Sequence, residues 1–387
     1  MAIPISYNIR NLVLRKGATV MTALGIALTV ATAIFIMALL AGLRDAFKTS
    51  GDPNNVLVLR KGSTSELAAG GVDRDAMQVI RDLPGIARDS QGNSVVSGEN
   101  ILVVVLPRLD GTGDTNVTVR FLTPMGIQMR PEMKLVAGRW FSPGQREIVV
   151  SKSVHQRFGQ SNIGDSIWIG KGSWQVVGIF DSGGSAHESE IWADTNQLAS
   201  DFDRTNYSSV LIRATDPVAA DALKNQVTDD VRLKLNGMLE PDYYARQTST
   251  GGPIKFVGFM VAIIMAVGSC FAAMNTMYAA VAYRSREIAT LRVLGFSRPS
   301  IVTSFVLESL LLALLGATVG IVLMLPLNGM TTGTSNPVTF SETIFSLRMT
   351  TGVIISAMIF AVVMGLFGGI APAWHAARRE ILASLRD

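Results

Sequence analysis

The sequence predicts a membrane protein with four transmembrane α-helices plus an α+β domain outside the membrane, an α/β lobe carrying a β-rich inserted lobe. Three observations predict it. Four long runs are almost free of charge, the basic residues concentrate in the short segments beside them, and one intervening segment is long enough to fold by itself. Only 17% of the 387 residues are charged and 48% are hydrophobic, whereas a soluble domain carries about 25% charged residues. The apolar residues are therefore gathered in blocks.

The blocks are 18–43, 256–282, 301–327 and 350–372. None holds a charge except the third, which holds Glu308. Each is long enough for a membrane helix, which needs about 20 apolar residues. Run 18–43 is longer than the ~7–15 apolar residues of a signal peptide. It continues into Gly42-Leu43-Arg44-Asp45 without a small-x-small cleavage site, so it is expected to remain a helix. Basic residues mark the inner side of a membrane. Segments 1–17, 283–300 and 373–387 together hold ten bases and three acids, whereas 44–255 holds 23 bases and 25 acids. Both termini and 283–300 are thus expected inside, with 44–255 and the short loop 328–349 outside. In 1–17, Ile5, Ile9, Leu12 and Val13 oppose Asn8, Arg10, Asn11 and Arg15, the pattern of a short helix lying in the membrane interface.

Segment 44–255 is too long for an unstructured loop. Strand signals recur at 55–59, 101–105, 117–121, 147–150, 166–169, 174–180 and 209–213. A helix is expected from Asp73 to Pro84-Gly85, and another from Asp216-Pro217, with Asp as cap and Pro in the first position. This order predicts an α/β lobe from about 50–110 and 207–250 and a β-rich lobe from about 115–205.

The single Cys270 excludes a disulfide framework within the chain and any multi-cysteine zinc site. The net charge of +4 gives no argument for nucleic acid, and none is expected as a partner. No G-x-x-x-x-G-K-[ST] loop is present, and Gly170-Lys171-Gly172 lacks its spacing and hydroxyl. Gly183-Gly184-Ser185-Ala186-His187 is not G-x-S-x-G, and His187-Glu188-Ser189-Glu190 has no second His for a zinc face. No catalytic, cofactor-binding or metal-ligating residues are therefore expected, and the chain is not expected to be an enzyme by itself.

Inside the spans, Glu308 has two open roles. It could partner an arginine of 283–300, or form a structural hydrogen bond that fixes helix packing, which is the favoured reading. Gly316 with Gly320, and Gly365 with Gly369, form two GxxxG faces for close helix packing, within or between subunits.

After the second span the chain reads Tyr283-Arg284-Ser285-Arg286-Glu287-Ile288-Ala289-Thr290-Leu291-Arg292-Val293-Leu294-Gly295-Phe296-Ser297. Ile288, Leu291 and Leu294 share a side, and Gly295 is a natural helix stop. This run resembles the FtsX-like permeases, the MacB type of ABC transporter subunit. Leu307-Glu308-Ser309-Leu310 with Gly316 and Gly320, and the ending Ala371-Pro372-Ala373-Trp374-His375-Ala376-Ala377-Arg378-Arg379 through Leu385-Arg386, are also similar to that family. So, in the long segment, are Gly138-Arg139-Trp140-Phe141, Glu147-Ile148-Val149-Val150-Ser151, Ile163-Gly164-Asp165 and Val176-Val177-Gly178-Ile179.

The resemblance implies a MacB-like periplasmic core domain at 44–255 and a bacterial inner-membrane location. It implies a permease that works with a separate cytoplasmic ABC ATPase and a second permease subunit, as homodimer or heterodimer. A periplasmic adaptor is left open. ATP and Mg are expected in the ATPase and no cofactor in this chain. Helix 283–296 would be the coupling helix, with Arg284, Arg286, Glu287, Ile288, Leu291, Arg292 and Gly295 as its docking residues. The expected activity is export or extraction of a lipid, lipoprotein, peptide or drug. The alternative is a signalling or scaffold protein whose outer domain senses a ligand or recruits a partner.

Overall fold

A computed structural model describes residues 5–14, 16–48, 50–67, 71–202, 205–247, 252–335 and 341–378. The predicted tail beyond Arg378, and the side chains of Ile5, Asn8, Ile9, Asn11 and Arg15, lie outside the described part. In chain order the elements are α1 (Ile5–Leu14), α2 (Lys16–Lys48), β1 (Asn55–Arg60), α3 (Arg74–Arg81), β2 (Val96–Pro107), β3 (Asp114–Leu122), α4 (Pro124–Gln128), β4 (Lys134–Gly138), β5 (Glu147–Ser151) and α5 (Lys152–Arg157). There follow β6 (Ser166–Ile169), β7 (Gly172–Asp181), β8 (Glu190–Asp194), α6 (Thr195–Phe202), β9 (Ser209–Arg213), α7 (Pro217–Asp229), β10 (Leu235–Leu239) and α8 (Glu240–Gln247). The chain ends with α9 (Gly252–Tyr283), α10 (Ser285–Val293), α11 (Arg298–Met324), β11 (Thr331–Ser335), β12 (Glu342–Ser346) and α12 (Thr351–Arg378).

The chain divides into two compact units. One holds the residues up to Ala41, Gly252–Met330 and the residues from Leu347 on; the other holds Gly42–Gly251 and Thr331–Ser346.

The first unit is helical. Four of its helices are long and apolar enough to cross a membrane, over Thr19–Lys48, Phe256–Tyr283, Arg298–Leu327 and Thr351–Arg378, with mean hydropathy between 2.3 and 2.5. The small residues predicted to bring helices together do so within this chain. A Cβ on Gly316 would stand 2.8 Å from Ile26 Cβ, and one on Gly320 would stand 2.7 Å from the Ala27 carbonyl oxygen, so α11 lies directly on α2. On α12, a Cβ on Gly365 would meet Ala313 Cβ at 2.7 Å and one on Gly369 would overlap the Ser309 hydroxyl. That close approach lets Ser309 Oγ donate across to the Gly365 carbonyl at 2.8 Å. Ile26, Val30, Ile34, Ala313, Ala317, Ala357 and Ala361 fill the seam.

The second unit is built on one ten-stranded sheet in the order β10-β1-β9-β2-β3-β8-β5-β7-β4, with β6 paired to β7. The 12-residue β2 joins its halves. Val96–Glu99 pair antiparallel with β9, and Asn100–Pro107 pair antiparallel with β3. In the first half α3 and α7 cover β1 and β9 through Ile80, Leu223, Val227, Val58 and Ile212. Asp216 caps α7 as expected, accepting from the Val218 and Ala219 amides at 2.9 Å, with Pro217 following. In the second half the central strands β5 and β8 are buried on both faces. Ile148 and Val150 enter one cluster with Phe121 and Trp174, while Val149 enters another with Phe180 and Trp192. That is why Glu147-Ile148-Val149-Val150 reads as an unbroken apolar run instead of an alternating one.

Several elements were not foreseen. β4, β8 and β10, and the hairpin β11–β12 inside the segment expected to be a loop, are all present. β8 has only the short apolar run Ile191-Trp192-Ala193 between Glu190 and Asp194, and β11 reads Thr-Thr-Gly-Thr-Ser without an apolar side chain. Both are strands because of pairing with distant partners.

Where β2 passes from one half-sheet to the other, buried charges meet. Arg120 of β3 donates from Nε and Nη2 to Glu190, from both Nη atoms to Glu66, and from Nη1 to Glu99, at 2.8–3.1 Å. Arg130 donates bidentately to Glu99 at 2.6 and 2.9 Å. His187 is buried in a 3₁₀ turn with its Nδ1 2.9 Å from Glu190. Burial alone would raise these carboxyls. Arg130 and Arg120 overcome it at Glu99, holding it below the usual carboxylate range, and Arg120 with His187 holds Glu190 well below it. Taking one member away strands the others without water. Arg120→Met is therefore expected to destabilise the second unit by about 3–5 kcal/mol, read as a lower unfolding temperature of the full-length protein in detergent, while R232M, at an exposed ion pair, leaves it unchanged.

The Gly138-Arg139-Trp140-Phe141 motif makes a tight corner. Gly138 sits at φ +75°, where a Cβ would collide with the Val177 carbonyl. The corner aims Arg139 at Glu147, and Nη1 donates to Oε2 at 2.6 Å. This pairing, assisted by the Ser142 amide, draws Glu147 down to about 2 from its ordinary 4.5. A carboxyl whose folded-state value is depressed contributes stability above its unfolded value, and the contribution fades as pH falls toward the folded one. The stability difference between wild type and Arg139→Ala is thus expected in full above pH 4.5 and to vanish as pH approaches about 2. The exposed arginine keeps it small. Thermal melts across that range check it.

Candidate functional site

The 283–300 segment turns the chain from α9 into α11 by way of α10. Helical geometry breaks at Arg284, with φ −101° and ψ 18°, and resumes at Ser285. α10 ends in a paired-amide cap. The Phe296 amide donates to the Leu291 carbonyl at 3.1 Å and the Gly295 amide to the Arg292 carbonyl at 3.2 Å. Gly295 takes φ +93°, a conformation only glycine adopts cheaply. Ser297 then stands at the N-cap of α11, with Pro299 in its first turn.

One side of α10 is anchored. Ile288 is buried with Met277 and Val281 of α9, Ile301 and Phe305 of α11, and Ala373 and Ala376 of α12. Leu12 of α1 packs on the same cluster, and the Tyr7 hydroxyl donates to the Glu287 carboxylate. The helix thus touches every other helix of this unit except α2 through one cluster. The other side is open. Arg286, Glu287 and Thr290 are exposed, and so are Val293 and Leu294, while Leu291 and Arg292 are half-buried. Arg292 Nε is buried without a hydrogen-bond partner among the described residues.

Of the residues expected on this surface, Arg284 is turned inward. Its Nη1 donates to Glu308 Oε2 at 2.9 Å and its Nη2 to Oε1 at 3.2 Å. Both side chains are about 95% buried, and the guanidinium carbon lies 6.0 Å from the Phe305 ring centroid. The one acid of the third apolar run and the first base after α9 therefore meet in a planar two-bond fork that joins α11 to the α9–α10 corner. Sequence spacing could not single out Arg284 among four nearby arginines, because the break at 284 interrupts the helical phase. Tyr7, Leu12 and Ser309 were not foreseen as parts of this unit's joints.

Among the described residues no group of three His, Cys, Asp or Glu is placed to hold a metal. A cavity in the second unit, lined in part by Phe47, Tyr243, Arg120, Glu190 and Glu342, has its charges matched already: Arg120 with Glu190, and Glu342 with Arg108 and Arg157.

Glu308→Gln leaves Arg284 buried with half a partner and is expected to cost about 3–5 kcal/mol. Replacing both, Arg284→Met with Glu308→Leu, leaves no stranded charge and should recover most of the loss. Unfolding in detergent of the two single variants and the double variant checks this coupling.

The chain matches the model described as the MacB-like periplasmic core domain over residues 19–230 and that described as the FtsX-like permease C-terminal over residues 259–381. It is 24% identical to the uncharacterized ABC transporter permease YknZ of Bacillus subtilis, with 99% of this chain and 98% of that protein covered. It is 25% identical to the macrolide export ATP-binding/permease protein MacB of Bordetella avium, with 95% of this chain covered but only 57% of that protein. Among solved structures, the periplasmic region of MacB from Actinobacillus actinomycetemcomitans is similar at 11% identity and a TM-score of 0.38, covering 49% of this chain and 90% of that one. With its four long apolar helices and its matched core domain, the chain belongs to the MacB/FtsX-like family of ABC transporter permeases, multi-pass membrane proteins with a domain outside the cytoplasm.

Proposed function

We propose that this chain is the membrane subunit through which a separate cytoplasmic ABC ATPase moves a periplasmic domain to export or extract a substrate of the lipid, lipoprotein, peptide or drug classes. Family membership implies the ATPase partner. ATP and Mg belong to that subunit. A second permease subunit completes the assembly, in which a periplasmic adaptor is an optional member. Both termini and α10 face the cytoplasm of a bacterial inner membrane, a placement supported by the ten-to-three excess of bases over acids in their segments.

The observation that carries the reading is the construction of α10. Its buried side is fixed to α9, α11 and α12 around Ile288, and its corner is fixed by the Arg284–Glu308 fork. A load applied to its exposed side reaches those helices together instead of bending one loop. Arg286, Glu287, Leu291 and Arg292 offer mixed charge and apolar surface for docking, Gly295 ends the helix, and Ile288 and Arg284 seat it.

The reading predicts that Glu287→Arg combined with Arg292→Ala weakens capture of the ATPase by at least about 30-fold, the loss of one strong interface contact, whereas Tyr7→Phe, which removes the Tyr7–Glu287 hydrogen bond without altering the exposed charges, leaves capture unchanged. Copurification in detergent and ATPase activity of the captured complex are the readouts. Unchanged capture refutes docking on α10. A kinase or hydrolase as the copurifying partner, with no ATPase, would favour the signalling alternative.

A further inference from the structure

Between α11 and α12 the chain needs only to reverse direction, and a short polar loop would suffice. It builds a hairpin instead, paired from Thr331↔Ser346 to Ser335↔Glu342. This hairpin is part of the second unit. Ile344 is 1% exposed and belongs to the same cluster as Val119, Phe121, Ile148 and Trp174. Its amide donates to Ser189 Oγ at 2.6 Å.

At the start of β12, Glu342 is buried and uses each oxygen separately. Oε2 accepts from Arg108 Nη2 and Oε1 from Arg157 Nη2, both at 2.7 Å. Arg108 follows the last residue of β2 and Arg157 ends α5. Those two ends are themselves laced together, the Leu109 amide to the Arg157 carbonyl at 2.9 Å and the Gly159 amide to the Pro107 carbonyl at 3.1 Å. The glycine at 333 is part of the fit, because a Cβ there would overlap the Glu342 carboxylate.

The connections on either side are short. Six residues, 325–330, precede β11, the first three of them a 3₁₀ turn that continues α11, and four, 347–350, follow β12, so the irregular stretch on either side reaches at most about 14 Å even when extended. They are also stitched, Leu347 amide to Met330 carbonyl and Gly329 amide to Leu347 carbonyl, each at 2.9 Å, and Met349 amide to Asn328 Oδ1 at 2.9 Å. A tether with no slack, fixed at its far end by an apolar plug and a two-arginine grip, carries displacement.

We propose that the β11–β12 hairpin is a transmission strap through which α11 and α12 act on the β-rich half of the second unit, with Glu342 as the positioning residue that holds it there. This rests on the function proposed above and names where, besides the two chain crossings near Gly42 and Gly251, motion enters the domain.

The test uses the full chain assembled with its ATPase, and reads amide hydrogen exchange in β3, β7 and β8 with and without ATP. Two variants separate grip from slack. Glu342→Ala removes the grip. Inserting eight Gly/Ser residues between Asn328 and Gly329, and eight more between Arg348 and Met349, keeps the hairpin and its grip but loosens both tethers. We expect wild type to show an ATP-dependent change in exchange. In the slack variant that change is lost while the amides of β11 and β12 stay protected and ATP hydrolysis continues. In Glu342→Ala it is lost together with protection of β11 and β12. A slack variant that responds like wild type overturns the strap while leaving the proposed function standing. A wild-type complex whose domain does not respond to ATP overturns both.

Discussion

Arg284 and Glu308 are the fixed point on which the helical unit turns. A carboxylate in the middle of an apolar helix is tolerated only when an opposite charge with the right geometry reaches it. Here the guanidinium comes from the residue at which α9 stops being helical. The break and the ion pair are therefore one feature. Without the break the chain would continue along the axis of α9, and Arg284 could not turn in toward α11. Without the pair, only the apolar cluster around Ile288 and the Tyr7–Glu287 hydrogen bond would hold the broken corner. The orientation of α10, and with it the choice of residues facing outward, follows from the pair and that cluster together.

The same constraint governs the second unit. Long β2 lends four residues to one half-sheet and eight to the other, so one backbone serves two packing environments. Glu99, at the changeover, is completely buried, and Arg120 and Arg130 reach it from opposite elements. Ion pairs of this kind are weak sources of net stability, because desolvation offsets attraction. Their value is geometric: a swapped register would strand at least one charge, so the joint tolerates one arrangement.

What could be read from the sequence follows the range of the forces involved. The spans were legible because membrane insertion selects on local composition over some twenty residues. The caps at Asp216 and Gly295 were legible because helix ends are decided within one turn. The buried strands 147–150 and 174–180 were legible because each concentrates β-branched or aromatic apolar residues within a few positions. β8 and β11 were not, since Glu190-Ile-Trp-Ala-Asp and Thr-Thr-Gly-Thr-Ser become strands through partners far away in the chain. The destination of Glu308 was narrowed to an arginine of 283–300 or to a packing bond. The helical phase lost at Arg284 is the reason spacing alone went no further.

Charge pairs and glycines divide the labour of making this chain stiff. Gly316, Gly320, Gly365 and Gly369 remove the side chains that would hold α11 away from α2 and α12, so backbone rests against backbone. Contact of that kind resists sliding, because ridges fit only one set of grooves, but small residues alone hold little against separation. The ion pairs supply the opposite property. Arg284–Glu308 resists separation of the α9–α10 corner from α11, and Glu342 with Arg108 and Arg157 resists lifting of the hairpin. Close backbone packing thus opposes sliding and buried ion pairs oppose separation, and each unit owes its stiffness to both kinds of contact.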